Sequence, residues 1–407
     1  MKKKKVLVIC NSLKAGGAEK SCISFLKTLP KDKYAIDLML LSCTGIFLKQ
    51  LPAWINLIQT PYSYSCLVYK PREWHFYIKQ NPVVWINKII RSWRAKHQSQ
   101  LHIVQAVYRQ WRDNLPTMEK EYDAAIGYLE GFCNYLVLDK VYARRKIIWI
   151  HNNYDNLGYT PSFDFEYFAK ADIIATISPK AQENLQRKFP VLADRIRFIE
   201  NITNTGTVKE MAKENISEDS FNTFNGLKIV SCGRLNMQKS FDRAIIAASL
   251  LKKEKIPFKW IIIGEGSEHK KLTRLKKKIG IDNELTLLGI RENPYPYMKQ
   301  ADMLVVTSRY EGRSVVIDEA RILGIPVITT DYPTATDAVE HEKTGLICRM
   351  TPEAVASAII RLYTDKHLYK HIRQKLSETD FGNTEEIMKY IAAIEGEKQP
   401  QFEQTKI

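Results

Sequence analysis

Short apolar runs alternate with amphipathic stretches along the whole chain. Val6–Cys10 reads as a buried strand, followed by a Gly-Gly turn, a helix over Ala18–Leu29 and a strand at Ala35–Leu41. Apolar runs at Ala124–Tyr128, Ile147–Ile150, Ile173–Thr176 and Arg197–Ile199 continue the rhythm. Runs that are apolar throughout belong to strands covered on both faces, and the helical patterns between them supply the crossovers of a parallel sheet. Residues 206–226 break the pattern; polar, acid-bearing and closed by Asn225-Gly226, they read as an interdomain linker or a loop following one. The rhythm restarts at Leu227–Ser231 and passes through Trp260–Ile263, Leu285–Leu288, Met303–Thr307 and Pro326–Thr329. The expected class is α/β with two doubly wound Rossmann-like domains, residues 1–205 and 206–380, then a C-terminal helix and frayed tail over 381–407.

Composition fits this picture. At 407 residues, 45% hydrophobic and 26% charged, the chain is folded and long enough for two cores. No run approaches the roughly 18 apolar residues of a spanning helix; the longest candidate, near Ile36–Leu48, is interrupted by Asp37, Cys43, Thr44 and Gly45. The basic start resembles a signal peptide, but only five apolar residues precede Asn11, and a signal core needs at least about seven. Seven cysteines with no C-x-x-C point to reduced thiols in the cytoplasm, and away from a disulfide framework or structural zinc.

The net charge of +16 is concentrated. Residues 70–112 hold nine Lys/Arg and one acid, and residues 248–280 hold ten and three, so the remainder is almost neutral. The first stretch also carries four of the seven tryptophans, and Trp85, Lys88, Arg91, Trp93, Arg94 and Lys96 form its densest part. Basic residues interleaved with Trp suit an anionic membrane surface, which predicts a peripheral protein on the inner face of the membrane; a pair of amphipathic helices with a solvated face is the plain alternative. In the second stretch Leu272, Leu275 and Ile279 recur at helical spacing, and the lysines fill a solvated outer face.

Candidate chemistry sits where strands end. Gly16-Gly17, between the first strand and helix, allows close approach of a phosphate to backbone N–H groups, although the segment is not G-x-G-x-x-G. Gly233-Arg234-Leu235 follows a strand, with Lys239 five residues on from Arg234; two cations there suit a diphosphate. Gly264-Glu265-Gly266 reads as a plain strand-to-helix turn, since His269 stands where a dinucleotide fingerprint has glycine. After Met303–Thr307 comes Ser308-Arg309-Tyr310-Glu311-Gly312-Arg313-Ser314-Val315, with Glu319 eight positions beyond Glu311 and expected about two turns into the next helix. Carboxylates at Glu311 and Glu319 are natural partners for sugar hydroxyls, and the amides of Gly312–Ser314 at a helix start can hold phosphate.

Together the Gly-Gly turn, Gly-Arg-Leu with a downstream Lys, the strand-end Gly-Glu-Gly and the E-x7-E spacing of Glu311 and Glu319 resemble the retaining family-4 glycosyltransferases of GT-B fold. Residues 227–348 carry most of the resemblance. Tyr122-Asp123-Ala124-Ala125-Ile126 and Trp149-Ile150-His151-Asn152 resemble the capsule and exopolysaccharide branch. The resemblance implies two domains facing a central cleft. It implies a nucleotide-sugar donor, a UDP-sugar first among them, with no separate cofactor, and a lipid-linked or polymeric glycan acceptor. By it Arg234 and Lys239 bind the diphosphate, and Glu319 the ribose. Glu311 takes the transferred sugar, and the loop Gly312, Arg313, Ser314 and Val315 contacts the donor. Gly16 and Gly17 close on the phosphate, and His151 lies beside the sugar. The chain departs from the pattern at Arg313-Ser314, where many members have an aromatic residue and proline, and at Asp331–Thr336, which lacks their glycines.

The expected reaction is transfer with retention and without an essential metal, since no D-x-D motif or His/Cys cluster is present. Two rivals are a sugar-nucleotide epimerase of the same fold, which has no use for a basic Trp-rich surface, and a non-catalytic nucleic-acid- or membrane-binding protein. Nucleic acid is not an expected partner, because the chain has no RNP pattern or recognition-helix motif.

Overall fold

The computed structural model describes residues 3–14, 16–68, 101–216, 219–312 and 314–400. The chain divides into two compact units, the first comprising Met1–Lys14, Ala18–Asn201 and Glu385–Gln401, the second built on Ile202–Thr384. The C-terminal helix Ile387–Glu395 is thus part of the first unit rather than a separate tail element.

The first unit is a seven-stranded parallel sheet: β1 (Lys4–Cys10), β2 (Tyr34–Leu40), β3 (Asn56–Ile58), β4 (Glu121–Gly127), β5 (Tyr142–Ile150), β6 (Ile173–Thr176) and β7 (Ile196–Phe198), in the order β3-β2-β1-β4-β5-β6-β7. Leu7 and Ile9 of β1, with Ala125, Ile148 and Ile174 of its neighbours, meet the covering helices in one core. The N-terminal apolar run is therefore the buried strand its pattern predicts. β5 begins five residues before its apolar run, because Arg144, Arg145 and Lys146 lie at its less buried start. β3 has only three residues and no buried one, so its sequence carries no strand signal. Tyr390 of the C-terminal helix stacks on Phe25 at 4.8 Å and on Trp149 at 5.0 Å, which fixes that helix to the sheet.

The second unit holds six parallel strands: β8 (Leu227–Cys232), β9 (Phe258–Ile263), β10 (Leu285–Gly289), β11 (Met303–Val306), β12 (Val327–Thr330) and β13 (Gly345–Cys348), ordered β10-β9-β8-β11-β12-β13. Successive residues go to opposite faces: Ile229, Trp260, Met303 and Val305 enter one core, and Val230, Ile261, Leu304 and Val306 the other. Apolar runs are needed because both faces are covered.

The stretch 206–226 corrects the linker expectation. The helix Thr205–Met211, capped by Asn204, and Phe221 bury Val208, Ala212 and Phe221 in the second core. The basic helix His269–Ile279 buries Leu272 and seats Leu275 and Ile279 half-buried against the core, as expected of a solvated helix. All seven cysteines are free thiols. Among the described residues no helix is long and apolar enough to cross a membrane. Trp85, Lys88, Arg91, Trp93, Arg94, Lys96 and Arg313 lie outside the described residues.

Candidate functional site

In each sheet the strand order reverses once, between β1 and β4 and between β8 and β11. Ligands of open α/β sheets bind at the carboxyl ends of strands beside such a reversal. The loops after β8 and β11 carry the residues expected to bind a diphosphate and a sugar.

The loop after β8 is laced to the loop after β9. The N–H groups of Gly233 and Leu235 donate to the carbonyls of Ile263 and Glu265 at 3.0 and 2.9 Å, and Glu268 N–H donates to the Leu235 carbonyl at 2.9 Å. A Cβ on Gly264 would stand 1.9 Å from the Gly233 oxygen, and one on Gly266 2.3 Å from the Leu235 oxygen. Gly-Glu-Gly is therefore more than a turn: its missing side chains let one loop lie flat behind the other and set the course of Gly233-Arg234-Leu235. Arg234 stands on the exposed side of this support.

Lys239 is held from two directions. Its carbonyl accepts from the Thr307 hydroxyl at 2.9 Å, and Ser240, which follows it, takes a left-handed conformation with φ 50°. Non-glycine residues rarely adopt that region, and such turns gather at functional sites. The ammonium of Lys239 lies 2.5 Å from Glu311 Oε1. Lys239 and Glu311, expected to serve the diphosphate and the sugar separately, are thus partners of one another.

Glu311 is buried, with 8% exposure, and Oε1 also accepts from the Ser308 hydroxyl at 2.5 Å. Its second carboxylate oxygen takes no hydrogen bond among the described residues. Neighbouring threonines hold the loop: Thr330 donates to the Ser308 carbonyl at 2.6 Å and Thr334 to the Glu311 carbonyl at 3.0 Å. Thr334 lies in the segment that departs from the glycine-rich family pattern, and its hydroxyl supplies a fixed contact. Next, Gly312 is buried, and Ser314 caps the helix Val315–Ile322 with its hydroxyl buried and unpartnered among the described residues. A helix N-terminus with a spare hydroxyl donor favours an anion.

Glu319 lies just over one turn into that helix, not two, because the helix begins at Val315. It is 3% exposed and accepts from the Tyr295 hydroxyl at 3.2 Å. Tyr295 itself begins the helix Tyr295–Gln300, its N–H received by Asn293 Oδ1 at 3.1 Å. Sequence reasoning misses Tyr295, which stands in no motif, and gives no role to Ser308 at the head of the Glu311 segment; only the structure brings their hydroxyls to the two carboxylates.

Gly16 precedes and Gly17 begins the helix Gly17–Thr28, the element that follows β1. His151 follows β5 and is buried, its ring tilted on Tyr128 at 5.1 Å. Burial holds its imidazole below the usual histidine range, and the nearby Glu130 charge opposes that shift. Glu130, also unmarked by sequence, grips the segment by accepting from His151 N–H at 3.1 Å and from the Asn152 amide.

Residues 212–379 match the family model described as Glycosyl transferases group 1. An uncharacterized glycosyltransferase of Methanocaldococcus jannaschii is 25% identical over 268 residues, 63% of each chain. A Campylobacter jejuni N-acetylgalactosamine-N,N'-diacetylbacillosaminyl-diphospho-undecaprenol 4-alpha-N-acetylgalactosaminyltransferase is 26% identical over 56% of this chain and 60% of that one. The match thus spans about six-tenths of the length of these curated relatives. Among solved structures, Anabaena HepE in complex with UDP and glucose superposes with a TM-score of 0.67 at 16% identity, covering 97% of this chain and 99% of that one. Staphylococcus aureus TarM gives 0.65 at 16% identity over 96% and 99%. Residues 212–379 are thus similar to the group 1 glycosyl transferases, and the chain has the GT-B fold of these solved structures.

Proposed function

We propose that this protein transfers a glycosyl group from a nucleotide diphosphate-sugar, a UDP-sugar first among candidates, to a hydroxyl of a lipid-linked or polymeric cell-surface glycan. The observation that carries the reading is the meeting of Lys239, Glu311 and Ser308 at the ends of β8 and β11, with Arg234 exposed on the loop after β8. Arg234 and Lys239 neutralise the diphosphate, aided by the Val315–Ile322 N-terminus and Ser314. Glu311 offers its second oxygen to the transferred sugar, and Glu319 holds the ribose. Gly16 and Gly17 offer backbone N–H groups to phosphate, and His151 offers its ring to a sugar.

Transfer proceeds with retention. The bond from the anomeric carbon to the diphosphate oxygen breaks, the acceptor oxygen attacks on the same face, and the departing phosphate takes the acceptor's proton. Catalysis rests on positioning and on charge at the leaving group, and the two cations supply that charge without an essential metal. Relatives named for amylovoran and lipopolysaccharide core biosynthesis support a polysaccharide acceptor.

A panel of nucleotide sugars tests the reading by thermal shift and slow donor hydrolysis. UDP or GDP and one of their sugars should stabilise the chain, with NAD and oligonucleotides without effect, and activity should survive EDTA. Transfer undiminished in an Arg234→Ala, Glu311→Ala double variant would overturn it; a free isomerised nucleotide sugar as product would favour the epimerase. The proposed site of work is an anionic membrane, reached through Trp85, Lys88, Arg91, Trp93, Arg94 and Lys96. Salt-sensitive binding to anionic liposomes should weaken on Lys/Arg→Gln exchange at those positions.

A further inference from the structure

The residue before Lys239 is Gln238, and the residue before Glu311 is Tyr310. Gln238 Nε2 donates to the Tyr310 carbonyl at 2.9 Å, and the Gln238 carbonyl accepts from Arg309 N–H at 2.8 Å. Arg309 Nε donates to the Met237 carbonyl at 3.2 Å, and the Thr307 hydroxyl to the Lys239 carbonyl at 2.9 Å. The loop bearing the cation is thereby zipped to the loop bearing the carboxylate. Of these contacts, the Gln238 amide is the one by which a side chain of the cation loop holds backbone next to Glu311. Its orientation follows from its partner, because a carbonyl oxygen accepts only from the amide nitrogen.

The Lys239–Glu311 ion pair cannot keep the loops in register by itself. Once Lys239 turns to a diphosphate, the pair is weakened at the moment Glu311 must hold the sugar. The Gln238–Tyr310 bond involves neither of those charged groups and can persist through the exchange.

We infer that Gln238 is a positioning residue: it fixes Glu311 relative to the diphosphate-binding loop, so that sugar recognition depends on it and nucleotide recognition does not. The inference deepens the donor reading above and rests on Glu311 binding the transferred sugar.

The test compares affinities for UDP and GDP with those for UDP-glucose, UDP-N-acetylglucosamine, UDP-N-acetylgalactosamine and GDP-mannose, using the full chain. Gln238→Met keeps the side chain's length and removes the donor; Gln238→Ala removes both, and Glu311→Ala is the control. The best nucleotide sugar should lose roughly five- to tenfold in affinity relative to its nucleotide in both Gln238 variants, as one hydrogen bond's worth of positioning implies. The nucleotide alone should change less than about twofold. Equal weakening of nucleotide and nucleotide sugar would mark a merely structural role and overturn the inference, as would a wild-type ratio in Gln238→Met. If Glu311→Ala also keeps the wild-type ratio, or no nucleotide sugar binds the wild type, the donor reading fails and the inference with it. If Glu311→Ala loses the ratio and the Gln238 variants keep it, the inference alone fails.

Discussion

The ammonium of Lys239 and Oε1 of Glu311 lie 2.5 Å apart, and the Ser308 hydroxyl shares the same oxygen. With side-chain exposures of 18% and 7%, the pair is largely shielded from water. Removing one member strands the other's charge, whereas removing both does not. Lys239→Met should therefore lower stability by about 2 kcal/mol, below the full cost of a stranded buried charge because the lysine keeps some solvent. A Lys239→Met, Glu311→Gln double variant should recover part of that loss. Urea unfolding of the four proteins checks it, and strictly additive losses would show the two groups to be uncoupled.

Tyr295 acts on the other carboxylate. Its hydroxyl donates to Glu319 at 3.2 Å, so Tyr295→Phe frees an acceptor that should bind ribose less selectively. The expected loss is roughly tenfold in UDP affinity, the value of one hydrogen bond to a charged group near its lower limit. Affinity for dUDP, which lacks one ribose hydroxyl, should fall less. Isothermal titration of both nucleotides decides, and equal losses would detach Tyr295 from ribose recognition.

Gly264 stands with φ at 145° and its α-carbon against the Gly233 carbonyl. Gly264→Ala would place a methyl group 1.9 Å from that oxygen, and backbone on both sides leaves no flexible end to yield. We expect a loss of about 2–3 kcal/mol from overpacking and backbone strain, with weaker UDP binding because the Arg234 loop shifts. Gly280→Ala is the control: φ there is +74°, yet nothing lies within 4 Å of the added carbon, so only the strain remains. A Gly264→Ala chain as stable as the Gly280→Ala one would refute the close-approach argument.

What the sequence disclosed follows from burial. β1, β6 and β11 are buried on both faces, and their apolar runs announce them without context. β13 is also buried at its start, but Gly345-Leu346-Ile347-Cys348 opens on glycine and ends half-buried, so it offers only two strongly apolar residues and no run to read. Residues 206–226 read as an interdomain linker or a loop following one because Val208, Ala212 and Phe221 are spread among polar residues, and only packing reveals that the three share one core. At the site, charged residues in strand-end motifs were legible: Arg234, Lys239, Glu311 and Glu319. Their supports were not. Glu130, Tyr295 and Gln238 act through hydrogen bonds to segments 21, 24 and 72 residues away, and Ser308 through a hydroxyl that reaches Glu311 three residues on, a contact only the loop's folded course reveals.

His151 gives the last expectation, and its sign can be worked out. Burial lowers its folded pKa below the ordinary value of about 6.5, while Glu130 opposes the shift; Tyr128, tilted against the ring, is neutral because burial raises its phenol well above the usual range. Between the ordinary value and the lowered one, the unfolded chain binds a proton that the folded chain does not. Stability from this residue is therefore full above about pH 6.5, falls as pH drops below it, and levels off once pH passes the folded pKa. Within that window the slope should approach about 1.4 kcal/mol per pH unit, the limit for one proton. His151→Asn removes the titrating group, so the wild-type-minus-variant difference in unfolding free energy should be flat above pH 7 and decline toward pH 5. Glu130→Gln withdraws the opposing charge, so the folded pKa drops further and the decline extends to lower pH. Curves for wild type and His151→Asn that run parallel from pH 7.5 to pH 5 would mean that His151 keeps its ordinary pKa despite burial, and that its ring is better hydrated in solution than its packing against Tyr128 allows.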